Sequence, residues 1–298
     1  MRQVFRTARS FVTSLYFLLF VYGFLVAAFV ICLLQDSYEN NVFAQIAKHV
    51  SGYNTTPISA DAQIKKALNT TWYLLHSRSD IFNNASSHDL IDELIDPLSS
   101  DLITAQGACG SYSTILCRTL NTMGIETRFA QMKVGKRYGG HIIIEAKTPH
   151  GWAVLDPLYN LQFINPQGQT ASFDEVAANW PRYKQQVPPE YDLKYCYEGV
   201  RYTNWDKIPV IMPALKKTLS LFMNPVQLQH LSLRTYFLRK YKIMANVLLA
   251  VIVLVTCIII KRSLSYGWKG PANWRLINKE TFGHAGHHPS NAQPNPAG

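Results

Sequence analysis

The chain has 298 residues, 48% of them hydrophobic, and a formal net charge of +10. That length holds one sizeable globular domain with residues to spare for membrane segments. The positive excess lies in the flanks: residues 35–230 carry 17 Lys and Arg against 18 Asp and Glu, a net charge of −1. Composition therefore excludes a basic nucleic-acid-binding face.

Residues 1–10 contain Arg2, Arg6 and Arg9 and no acid. An uncharged run of 24 residues follows at 11–34, where about 20 suffice to cross a hydrocarbon core. A cleaved secretion signal is the competing reading. Signal cores are shorter, about 7–15 residues, and end at small residues, whereas this run ends in Ile31, Cys32, Leu33 and Leu34. An uncleaved anchor is the better fit. A second uncharged run of 18 residues occupies 243–260 and stops at Lys261 and Arg262. Its lack of any polar face argues against a buried core helix.

Basic residues beside a span tend to stay cytoplasmic. Arg2, Arg6 and Arg9 precede the first span, and Lys261, Arg262, Lys269, Arg275 and Lys279 follow the second against Glu280 alone. The expected organisation is a cytoplasmic N-terminus at 1–10, a span at 11–34, an extracytoplasmic domain at 35–242, a span at 243–260 and a cytoplasmic, disordered tail at 261–298. Arg234, Arg239, Lys240 and Lys242 stand against this orientation, since they precede the second span on its outer side.

Within the domain, Ile64, Leu68, Trp72 and Leu75 recur at helical spacing and predict a helix over 61–76. A short helix is expected at 88–98, broken by Pro97. The segment 101–125 starts as a loop and turns helical after Gly107, with Gly124 as its C-terminal cap. Three short β-type runs follow, at 127–134, 141–146 and 152–155, separated by the turn-forming GKRYGG and KTPHG. Another helix is predicted at 173–183, an extended aromatic stretch at 188–213, and a mixed apolar and basic stretch at 215–242. Helices followed by consecutive antiparallel strands define an α+β class, not alternating βαβ units.

Three motifs carry chemistry: GACGSYS at 107–113, YGGHIIIE at 138–145 and GWAVLDPLYN at 151–160. They place Cys109 at a helix start, His141 at the head of a strand and Asp156 at the end of the next. A thiol at a helix N-terminus is biased toward thiolate by the dipole and by free amides. Neighbouring antiparallel strands can bring His141 beside Asp156, which would fix the imidazole tautomer and support its charge.

These residues resemble the transglutaminase-like superfamily of papain-like cysteine enzymes, in a membrane-anchored bacterial form. Its pattern is met by Gly107-Ala108-Cys109-Gly110, by Gly140-His141 and by Trp152 with Asp156-Pro157. The resemblance covers about residues 60–185. It implies a Cys-bearing helix packed on an antiparallel sheet, and acyl transfer through a thioester to water or an amine. It also implies Cys109, His141 and Asp156 as catalytic residues and no cofactor. The substrate class so implied is an amide of a peptide, protein or cell-wall component.

Oxyanion support is expected from the Cys109 N–H, with Gln106 as a side-chain candidate. Tyr112, Tyr138 and Trp152 are candidates to line the cleft. Cys117 and Cys196 are one candidate disulfide pair for an oxidising compartment. No Cys or His spacing suggests a metal, and His284, His287 and His288 read as incidental tail composition. Asn54, Asn69 and Asn84 fit the glycosylation pattern. Besides membrane lipid and the amide substrate, envelope-assembly proteins are candidate partners. A non-catalytic scaffold using the same cleft is the competing function, motivated by the aromatic residues between Tyr191 and Trp205. A protease acting on a neighbouring membrane protein is a third.

Overall fold

The computed structural model describes residues 14–52, 59–82 and 96–268. They fall into two compact units: the described parts of Met1–Val30 with Asn246–Gly298, and Ile31–Ala245. Helix α1 (Leu15–Ser51) runs through both, and so does α10 (Lys240–Trp268). Each is long and apolar enough to cross a membrane. In the first unit their side chains are apolar on every face and largely exposed, Phe20, Phe24, Val253 and Leu254 among them. Water would not tolerate such a surface, whereas hydrocarbon would.

The second unit is α+β. After α1 come α2 (Ala60–Phe82), α3 (Leu98–Thr104) and α4 (Cys109–Thr122). The strands are β1 (Thr127–Val134), β2 (Arg137–Thr148), β3 (Gly151–Asp156) and β4 (Leu161–Gln162). Short helices α5 (Phe173–Ala178) and α6 (Trp180–Tyr183) precede β5 (Val200–Arg201), and α7 (Ile211–Leu219), α8 (Pro225–Gln229) and α9 (Leu233–Tyr236) lead into α10. The sheet is antiparallel with order β4-β3-β2-β1-β5. Two-residue turns at 135–136 and 149–150 close the two long hairpins, the short connection that antiparallel neighbours permit.

Both faces of the sheet are covered, so alternate strand residues feed two cores. Phe129, Ile144, Ala146 and Leu155 pack with Leu116 and Leu120 of α4 and Ile64 and Leu68 of α2. Ala130, Met132, Ile143 and Val154 point the other way, into a core rich in aromatics: Phe163, Phe173, Tyr183, Tyr191, Tyr197 and Tyr202. The domain core therefore extends past residue 185, and the stretch from Tyr191 to Tyr202 belongs to it.

Several expected elements differ in detail. The first apolar run continues as helix to Ser51, 17 residues beyond Leu34. Phe43, Ala47 and Val50 are buried there at helical spacing, Val50 against Leu116 and Leu120 and Phe43 against Tyr112 and Ile115. Glu39 sits on the same face, and its carboxylate accepts the Leu98 N–H at 2.7 Å. That bond caps α3, whose own N-cap, Pro97, has no side chain able to do it.

Asp101 lies in α3, not in a loop. The helix expected at 173–183 is two pieces, because Asn179 leaves helical geometry just before Pro181. The stretch 188–213 is extended only at β5, and α7 begins inside it. Most of the helix expected at 88–98 lies outside the described residues, as do Asn54, Asn84 and the tail histidines. Phe43→Ala empties a fully buried site and is expected to cost about 3–5 kcal/mol. It should lower the denaturant midpoint of the detergent-solubilised chain without changing its helix content.

Candidate active site

His141 and Asp156 lie on one face of adjacent strands β2 and β3, since residues 141, 143 and 145 point with 154 and 156. The strand that carries His141 does not run straight. Met132 pairs with His141, but the next residue, Lys133, pairs with Tyr138. Gly139 and Gly140 are thus extra residues on β2, an irregularity of the kind that re-aims a side chain. Gly139 has φ +89, and a Cβ on Gly140 would come within 2.8 Å of the Val134 Cβ. The GG of YGGH is what lets this kink form.

The Nε2–H of His141 donates to Asp156 Oδ2 at 2.7 Å, and both side chains are wholly buried. A buried carboxylate and imidazole in such contact favour the ion pair. Burial pushes the imidazole down, but the charge and hydrogen bond of Asp156, with a contribution from Cys109, outweigh it and hold His141 at about 9.

Cys109 is the first residue of α4, and the turn before it is strained. Ala108 has φ 44 and ψ −124, a region that a residue with a Cβ enters at a cost of about 1–3 kcal/mol. A small network fixes this turn. The Gly107 N–H donates to Ser111 Oγ at 2.8 Å, and the Ser111 hydroxyl donates to Asp101 Oδ1 at 2.5 Å. Gly107 is required because a Cβ there would lie 2.7 Å from Ser111 Oγ.

Ile142 links the two halves of the site. Its carbonyl accepts from Ser113 Oγ at 2.9 Å, tying α4 to β2, and its N–H donates to the Cys109 sulfur. Burial pushes the Cys109 thiol up; the hydrogen bond and charge of His141 and the Ile142 N–H outweigh it, so the thiol lies below an ordinary cysteine. With Nε2 occupied by Asp156, Nδ1 is the imidazole atom left for the sulfur. Nδ1 makes no hydrogen bond of regular geometry, although the thiol and ring are close enough to stabilise each other's charge. Such looseness is common before substrate tightens a site. Cys109 is half-buried and reachable, and its neighbours Gly107 and Ala108 are exposed.

The third wall comes from the segment after α6. Tyr195 stacks on His141 with ring centroids 4.1 Å apart and planes within 6°. Tyr159, just after Asp156, packs on Tyr191 at 4.6 Å. Sequence reasoning missed Tyr195 as a site residue; its only signal was the aromatic density of 188–213.

The other candidates are placed elsewhere. Gln106 lies in the turn three residues before Cys109 and is half-exposed. Tyr112 is not in the cleft: it points into the core with Phe43, Leu75 and Ile115. Tyr138 is exposed, with the Arg201 guanidinium 5.5 Å over its ring. Trp152 opens β3, four residues from Asp156, and stacks under Arg128 at 4.1 Å. It therefore belongs to the opposite end of the strand. Cys117 and Cys196 are separate free thiols. Cys117 contacts Thr127 Oγ1 at 2.7 Å, and burial pushes it up to about 12, which makes it inert.

A cavity of about 960 Å³ lies away from the triad, lined by Arg128, Glu145, Trp152, Asp174 and His230 among others. No cysteine lines it, and the Ser232 hydroxyl there already accepts from the Phe129 N–H and from Thr235, so its size alone does not make it the centre of the chemistry. Among the described residues no cluster of His, Cys, Asp and Glu is arranged to hold a metal. Comparison with family models, curated proteins and solved structures finds no match.

Gly140→Ala should displace His141 while leaving the hydrophobic core intact. The expected result is an approximately 10²-fold slower alkylation of Cys109 by iodoacetamide at pH 6, the cost of about 1 Å of misplacement. Thermal stability within a few degrees of the parent would confirm a local effect. Ala108→Gly, by contrast, relieves backbone strain and should raise the denaturant midpoint without slowing alkylation.

Proposed function

We propose that this chain is a membrane-anchored thiol acyltransferase or amide hydrolase of transglutaminase-like type, with Cys109 as nucleophile. The observation that carries the reading is the buried His141–Asp156 bond beside a reachable thiol of lowered pKa. Alignment of the three groups from separate elements supports it more strongly than any one residue does.

In the resting pair the thiol proton resides on His141, whose charge Asp156 balances. The thiolate attacks the carbonyl carbon of an amide, forming a C–S bond and moving the π electrons onto oxygen. The Cys109 N–H, one of the first amides of α4 and free of an intrahelical acceptor, stands ready for that oxyanion. Gln106 is the candidate second donor. The imidazolium then gives its proton to the departing nitrogen as the C–N bond breaks, leaving a thioester and neutral His141. Water or an amine, deprotonated by His141, attacks the thioester and restores the thiol.

The pH dependence follows from the two shifts. Thiolate alkylation should reach its plateau below the pH that an ordinary cysteine needs, because the Cys109 pKa is lowered. Amide turnover additionally needs imidazolium as proton donor, so it should fall as pH rises through about 9. Asp156→Asn removes the charge that holds His141 protonated. Its alkaline limb should move to lower pH and its rate drop by about 10²–10⁴-fold.

The test uses full-length protein in detergent, offered glutaminyl peptides and a biotinylated primary amine, with release of ammonia followed in parallel. Label incorporation or ammonia release that disappears in Cys109→Ala is the expected outcome. Alkylation of Cys109 no faster than that of a denatured control would sink the activated nucleophile. Of the aromatic residues that motivate the scaffold reading, Tyr191, Tyr197 and Tyr202 are core residues and Tyr195 covers His141, whereas Trp205 remains half-buried.

The two apolar helices support a two-pass chain with the domain on the outer side of the membrane, facing peptide, protein or cell-wall amides. The basic flanks at 1–10 and after residue 260 carry that orientation.

A further inference from the structure

Helix α7 has Ile211, Leu215 and Leu219 at i, i+4 and i+8, with Met212 beside them, Lys216 flanking the stripe and Lys217 on the opposite side. In a water-soluble domain such a stripe turns inward. Here no residue of α7 is buried. The apolar surface continues on both sides of the helix: Val210 is 80% exposed, Leu221 76% and Phe222 81%. This is a connected run of large side chains, not isolated surface residues. The charge around it has one sign. From Lys207 to Lys242 the chain carries seven Lys and Arg and no Asp or Glu, and the residues after Lys242 lead directly into the second apolar run.

We infer that the segment from Val210 to Val226 lies on the surface of an anionic lipid membrane, its apolar stripe among the acyl-chain ends and its lysines at the headgroups. A helix with an apolar stripe, one lysine at its border and one behind it, close in sequence to a span, has the composition of an interfacial element. Lys216 also lies 6.0 Å over the ring of half-buried Trp205, a pairing suited to the headgroup layer, where amphipathic side chains settle. The charge makes a second copy a poor occupant, because a two-fold contact would set Lys207, Lys216 and Lys217 against the same residues. Anionic headgroups attract all three.

The inference rests on the two-pass reading, and the experiment separates them. The full chain is placed in nanodiscs of phosphatidylethanolamine and phosphatidylglycerol at 3:1. Benzoylphenylalanine replaces one residue at a time, as Leu215→benzoylphenylalanine or Phe222→benzoylphenylalanine. Val253 within the second span and exposed Leu193 serve as reference positions. Irradiation should give lipid adducts at 215 and 222 as at 253, and none at 193. The share of phosphatidylglycerol among the 222 adducts should exceed its share in the disc. Lys216→Glu with Lys217→Glu should abolish that excess. Lipid adducts at 253 with none at 215 and 222, or a crosslinked dimer at 222, would overturn the interfacial segment alone. Absence of lipid adducts at 253 would overturn the spans, and the interfacial segment with them.

Discussion

The hydrogen bond between His141 and Asp156 governs much of what surrounds it. Both side chains are wholly buried, and neither charge would survive burial without the other. The pair therefore has to form at one place, on one face of β2 and β3, with little tolerance in register. A slip of a single residue would send His141 to the opposite face of the sheet. The hairpin of β2 and β3 fixes the register, and the core residues Ile143 and Val154 hold it there. Once His141 is charged by Asp156, the sulfur at the start of α4 meets a cation. A half-buried thiol that burial alone would leave protonated becomes acidic.

Backbone irregularity falls beside both Cys109 and His141. The extra residues Gly139 and Gly140 bend β2 immediately before His141, and Ala108 adopts its strained conformation immediately before Cys109. Elsewhere β1 and β2 pair regularly from Thr127 to Met132. Ala105, Asn160, Tyr197 and Val210 also have positive φ, so strain is not peculiar to the site, but at Ala108 neighbouring bonds over-determine the conformation. These are the Asp101–Ser111–Gly107 network and the Ser113–Ile142 bond.

The triad residues were legible in sequence because each sits in a short motif whose chemistry is local: glycines that allow a kink, a helix start, a strand ending before proline. The α+β layout was legible because the period of apolar residues changes near residue 125, from helical to alternating. Residues whose role depends on tertiary direction were not. Tyr112 and Cys109 are three positions apart on one helix, yet Tyr112 turns into the core with Phe43. Trp152 and Asp156 share β3, but the strand separates them by about 13 Å at roughly 3.3 Å per residue. Tyr195 reached the site only through the path of an irregular segment, which has no period to read. The continuation of α1 to Ser51 was hidden for a similar reason. Its buried positions are a Glu, a Phe, an Ala and a Val spread among polar residues, so the apolar run ends well before the helix does.

The sheet supplies its own comparison for deciding what the buried charges mean. Arg128 and Glu145 face each other across β1 and β2, on the same face as His141, with a 2.6 Å bond between Nε and Oε2. Arg128 lies between the rings of Trp152 and Tyr202, at 4.1 and 4.2 Å. It is as well made an ion pair as His141–Asp156, and it adjoins a hollow of about 960 Å³. Yet a guanidinium keeps its proton at any ordinary pH and is closed here on both faces, so the ion pair itself has nothing to transfer. An imidazole can take up and release a proton within the working range, and a reachable sulfur lies against it. Buried charge alone is weak evidence of function. What separates the two ends of β2 is a thiol beside an imidazole: His230 lies 3.2 Å from the Arg128 guanidinium, but no cysteine lines that hollow.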